Sequence, residues 1–88
     1  MRTIIDVRTP QEFSAGHITG SINIPLNEIQ QRESEIQGFD QPIVLCCMSG
    51  GRSGQATQYL KQKGIECTNG GGWMELNHQL TMSSEQAL

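Results

Sequence analysis

Twelve residues, Ile43-Val44-Leu45-Cys46-Cys47-Met48-Ser49-Gly50-Gly51-Arg52-Ser53-Gly54, constrain this chain more than any others. A short β-branched run ends on cysteine, passes through two glycines and an arginine, and opens at once into a helical pattern. A strand that turns so tightly into a helix points its last side chain at the helix N-terminus. Backbone N–H groups and the helix dipole favour negative charge there. A thiol at that point is held toward its thiolate. The alternative for Cys47 is an inert core cysteine, a common place for this residue. The glycines and Arg52 that follow argue for chemistry instead.

The same grammar recurs along the chain. Ile4-Ile5-Asp6-Val7 reads as a buried strand. Thr9 can cap a helix with Pro10 at its first position and Glu12 at capping-box distance, and Gly16 stops it. Ser21 to Pro25 reads as a second strand, ended by proline. Asn27 is expected to cap a helix to about Gln37, with Leu26, Ile29 and Ile36 as its apolar contacts. Ile43 to Cys46 is the third strand. Ser53 to Lys63 is a helix with Ala56, Tyr59 and Leu60 on one face. Ile65 to Thr68 is a short last strand, Gly70-Gly71-Gly72 a turn, and Trp73 to His78 a final helical turn or two. Strand and helix alternate, which predicts an α/β fold: a small, mainly parallel sheet flanked by helices on both faces. Ligands of such sheets bind at the carboxyl ends of the strands, where Asp6, Arg8 and Cys47 fall. One domain over residues 1–80 is expected, with residues 81–88 as a flexible tail.

Composition removes several classes of partner. Six basic residues are scattered along 88 positions and the net charge is −3, so no nucleic-acid partner is expected. No apolar stretch reaches membrane-spanning length, so no membrane partner is expected either. Met1-Arg2-Thr3 runs straight into a strand without a secretory segment. Three cysteines, two of them adjacent, do not make a disulfide framework. A cytoplasmic location follows, with the periplasm as the alternative if a leader was removed. The set Cys46, Cys47, Cys67, His17 and His78 lacks ligand spacing, so neither a metal nor another cofactor is expected. A monomer is the expected state.

Three ordered segments resemble the rhodanese-like domains. Ile5-Asp6-Val7-Arg8, Glu12, Gly16-His17-Ile18, Gly20-Ser21 and Asn23-Ile24-Pro25 look like the opening signature. Cys47 to Ser53 looks like the active-site loop, and Gly71-Gly72-Trp73 like the closing motif. The resemblance covers roughly residues 4 to 76 and the length is like that of small single-domain thiosulfate sulfurtransferases of the phage-shock type. It implies that Cys47 is the nucleophile and carries a persulfide. It implies that Met48, Ser49, Gly50, Gly51, Arg52 and Ser53 form the substrate loop, with Asp6 and Arg8 bracing it from behind. The partners implied are a small sulfur donor and a thiophilic acceptor, which is cyanide in an assay and a thiol or protein in the cell. Arg52 would take the oxygens of the donor two at a time. A cation at a helix start is disfavoured by the dipole, which argues that Arg52 is there for a ligand.

Three residues depart from the family pattern, and the helix and strand that precede the Asp6 strand in longer members are not expected here. Cys46 stands where many members have a bulky residue, Met48 where many have arginine, and Trp73 comes early. Cys46 is read as core filling on the far face of its strand, with a resolving thiol as the minor alternative. Cys67 is read as core, His17 as a hydrogen-bonded structural residue, and Trp73 as a core or pocket-rim aromatic. Two other readings stand beside sulfur transfer. A phosphatase or arsenate reductase also uses a cysteine loop ending in arginine, but with one more intervening residue than the four found here. A non-catalytic interaction module would usually lack the cysteine.

Overall fold

The computed structural model describes residues 2–86, with side chains described over residues 2–82. Its framework is a four-stranded, all-parallel sheet of β1 (Thr3–Asp6), β2 (Ile22–Asn23), β3 (Ile43–Cys47) and β4 (Cys67–Gly72), in the order β2-β1-β3-β4. The helices are α1 (Pro10–Ala15), α2 (Glu33–Gln37), α3 (Gly51–Gln62) and α4 (Trp73–Gln86).

β3 is central and all five of its residues are buried. Successive side chains of a strand point to opposite faces. Ile43, Leu45 and Cys47 join one layer with Ile36 of α2 and Ala56 and Leu60 of α3. Val44 and Cys46 join the other with Ile18 and with Trp73, Leu76 and Leu80 of α4. The two faces are covered as the alternation of elements predicts.

α1 starts as expected. Thr9 Oγ1 accepts from the Glu12 N–H while Glu12 accepts from the Thr9 N–H, a full capping box with Pro10 at the first position. Three expectations are corrected. The helix from Asn27 is not formed. A 3-10 turn at Leu26–Glu28 comes first, and α2 covers only Glu33–Gln37. Only Ile29 and Ile36 are fully buried along the segment, so little anchors a continuous helix. The last strand lies later than Ile65–Thr68. The Ile65 N–H closes α3 on Leu60 O, and the triple glycine is strand, with Gly71 and Gly72 opposite Cys46 and Cys47. The final helix continues past His78 to Gln86, so residues 81–86 of the expected tail are helical, and 87–88 lie outside the described residues.

The triple glycine is strand rather than turn because of a bulge. Leu45 pairs with Asn69 but Cys46 with Gly71, which leaves Gly70 as an extra residue. A Cβ on Gly70 would lie 2.7 Å from Val44 Cγ1 and 3.1 Å from Leu45 O. Only glycine lets the two backbones approach that closely.

Candidate active site

Cys47 ends β3 and the chain then turns into α3. Gly50 makes that turn at φ 102, a left-handed conformation that a side chain rarely adopts. The turn brings N–H groups back over the sulfur. Cys47 Sγ lies 3.0 Å from the Gly50 nitrogen and 3.5 Å from the Ser53 nitrogen. Burial by itself pushes this thiol up. Hydrogen bonds from the Ser53 hydroxyl and amide and from the Ser49 and Gly50 amides outweigh it, and the Cys47 thiol titrates at about 7, below its ordinary value. The residue is 1% exposed.

Ser53 Oγ has one proton and two acceptors. Asn69 Oδ1 is at 2.6 Å and Cys47 Sγ at 3.4 Å. The shorter bond takes the proton while the thiol is neutral, and rotation about the C–O bond can turn it to the sulfur on ionisation. Asn69 also accepts from the Gly71 N–H and donates to Gly50 O, so it ties β4 to the turn and to Ser53. The sequence did not mark Asn69. Its only signal was its place just before the glycines.

Cys46, one residue earlier, points into the opposite core and is fully buried. Burial drives its thiol up to about 12. It packs and does not ionise at neutral pH, as the core-filling reading expected. Cys67 is buried too, and burial raises it. All three thiols are free.

Asp6 and Arg8 are 0% and 2% exposed and form a buried pair. Arg8 Nη2 and Nε lie 2.7 and 2.9 Å from the Asp6 carboxylate. The remaining Arg8 donors reach Glu12 O at 3.3 Å and Gly16 O at 2.8 Å. The guanidinium also lies 4.8 Å from the centre of the Trp73 ring. The pair thus fastens α1 and the start of α4 to the ends of the strands behind the loop. His17 is structural as read: Nδ1 bonds Phe13 O at 2.7 Å and the ring stacks on Phe13.

Arg52 is not free at the mouth. Nη1 and Nη2 reach the two carboxylate oxygens of Glu12 at 2.7 and 3.1 Å. In the sequence Glu12 stands as a capping-box partner and in the opening signature, with nothing local to tie it to Arg52. Each member of the pair lines a surface hollow. Arg52 lines one of about 380 Å³ with Thr9, Pro25 and Asn27. Glu12 lines one of about 250 Å³ with Ala15, Met48, Trp73 and Met74. The loop therefore supplies a stabilised thiolate, a ring of amide donors and one cation already paired.

The Rhodanese-like domain family model matches residues 1–78. The chain belongs to this family. The rhodanese-like domain is 49% identical over 65 residues to YqhL, an uncharacterized Bacillus subtilis protein, covering 74% of this chain and 49% of that one. It spans about half the length of that relative. It is 34% identical over 74 residues to the thiosulfate sulfurtransferase PspE of Escherichia coli, covering 82% of this chain and 71% of PspE. An Escherichia coli rhodanese solved with anions superposes at a TM-score of 0.76 with 33% identity, over 84% of this chain and 89% of that chain. The α/β architecture of the rhodanese-like domain is thus shared with solved relatives.

Proposed function

We propose that this domain is a sulfurtransferase that moves a sulfane sulfur from thiosulfate or a similar donor to a thiophilic acceptor through a persulfide on Cys47. One observation carries the reading: a buried cysteine sulfur ringed by loop amides, 3.0 Å from the Gly50 nitrogen, with its thiol lowered to about 7. The name of the relative PspE supports it.

The step balances without a cofactor. The Cys47 thiolate attacks the outer sulfur of thiosulfate, the S–S bond breaks, and sulfite leaves with the bonding electron pair. The product is a Cys47 persulfide anion that the same N–H groups can stabilise. Cyanide, a thiol or a partner protein then takes the sulfur and returns the thiolate. Met48, Ser49, Gly50, Gly51, Arg52 and Ser53 form the binding loop, with Arg52 as its oxyanion contact. Asp6 and Arg8 hold the loop's supports in place. The short loop from Cys47 to Arg52 argues against a phosphatase, and the presence of Cys47 argues against a non-catalytic module. Three free thiols suit a reducing compartment, and the cytoplasm is the proposed location.

Intact mass after incubation with thiosulfate tests the proposal. One added sulfur is expected, lost on addition of cyanide and absent in Cys47→Ser. A Cys47→Ser protein that still gains sulfur or turns over thiosulfate and cyanide refutes the assignment. Cys67→Ala should keep activity.

A further inference from the structure

The Glu12–Arg52 pair runs between α1 and α3 at the mouth of the loop, forty positions apart in sequence. Glu12 is held for the task. Its Oε1 accepts from the Thr9 N–H at 3.0 Å and lies 3.2 Å from the Thr9 hydroxyl, so the carboxylate meets Arg52 from a fixed position. No other cation compensates within the loop. Position 48 is methionine, and Arg8 is committed to Asp6. On the Glu12 side, the adjoining hollow of about 250 Å³ is walled by Arg8, Ala15, Met48, Trp73 and Met74, and its surface is mostly apolar. Met48 and Met74 are among the few large apolar side chains that are exposed.

We propose that Glu12 is a positioning residue that sets donor specificity: its carboxylate competes internally for Arg52, so the site favours a sulfane sulfur carried on an uncharged, apolar organic group over a small oxyanion. The inference rests on the sulfur-transfer reading and names its donor class. A small oxyanion must share Arg52 with a carboxylate that already holds two charge-assisted bonds from Nη1 and Nη2 and offsets its charge. An uncharged donor leaves them intact and can lay its organic group in the apolar hollow, which exceeds the roughly 150 Å³ that holds a benzene ring. The Glu12 carboxyl is held at about 2, chiefly by its hydrogen bond from Arg52, so it remains a competing anion at every working pH.

Two alkylating reagents of nearly equal size test this directly. Iodoacetate and iodoacetamide each react with the Cys47 thiolate by loss of iodide, and they differ in charge. The readout is the ratio of their rates in the full chain. Glu12→Gln keeps a capping-box side chain and frees Arg52. It is expected to raise the iodoacetate-to-iodoacetamide ratio about tenfold, and to lower the thiosulfate KM about as much with kcat changed less than about twofold. Adding Arg52→Gln to that variant should return the ratio to near wild type. Glu75→Gln removes an exposed carboxylate close to Gly72 without touching Arg52, and should move the ratio less than about twofold. If Glu12→Gln does not fold, Glu12→Asp, one methylene short of bidentate reach, should move the ratio in the same direction. An unchanged ratio in the Glu12 variants overturns the proposal. An equal rise in Glu75→Gln also overturns it, because a diffuse field would then account for the effect. Failure of thiosulfate to load Cys47 in any variant counts against the sulfur-transfer reading, and the alkylation ratio still reads the Glu12 competition by itself.

Discussion

Cys46 and Cys47 are the same residue type on consecutive positions, and their thiols titrate at about 12 and about 7. Strand alternation sends one into an apolar layer that offers it no donor. The other meets amides at a helix start. The pH dependence follows. The Cys47 thiolate fraction, and with it the iodoacetamide rate, should rise through a midpoint near 7 and level off above it. A free thiol would rise near 8.5. A measured midpoint at the free-thiol value refutes the loop geometry. Ser53→Ala removes one donor to the thiolate. Because that proton is shared with Asn69, the midpoint should move up by roughly one pH unit or less, equal to about 1.4 kcal/mol. Titration of the alkylation rate in that variant measures it.

At the scale of elements, the bulge in β4 positions the loop. Gly70 is the extra residue, and next to it Asn69 reaches both Ser53 and Gly50. Gly70→Ala forces a methyl group against Val44, Leu76 and the Leu45 carbonyl. A cost of about 2–3 kcal/mol is expected, by overpacking. Urea unfolding checks this. The same variant should lose activity beyond its stability loss, since moving β4 moves Asn69. A stability change under about 0.5 kcal/mol would mean that the strands separate freely at this point. The 3-10 turn at Leu26–Glu28 is a second element whose form follows contacts. The Leu26 N–H ties it to Val7 O, and the Glu28 and Ile29 N–H groups bond three residues back, to Pro25 O and Leu26 O, where local pattern alone favours a helix.

Across the whole molecule, the Asp6–Arg8 pair connects the layers. It is buried, and its spare donors hold the carbonyls of Glu12 and Gly16. Removing one partner strands a buried charge. Asp6→Asn should therefore cost about 3–5 kcal/mol, a large part of the stability of so small a chain. Replacing both partners by apolar residues should cost less than the single change. Thermal or urea melts of the single and double variants decide it, and a double variant worse than Asp6→Asn would show that the pair is valued for its geometry. Much of this was legible in one dimension. Spacing of apolar runs, Pro10, Thr9 and the Gly50-Gly51 turn marked the parallel α/β order, the α1 cap and the place of Cys47 at the strand-to-helix turn, because those features depend on neighbours within a few residues. Asp6 and Arg8 could be paired on paper for the same reason, being two positions apart. The triple glycine, the broken helix after Pro25, Asn69 beside Ser53 and above all Glu12 on Arg52 were decided only by the tertiary structure. Each depends on which groups from distant segments meet, and on how close two backbones must come, and no local pattern carries that information.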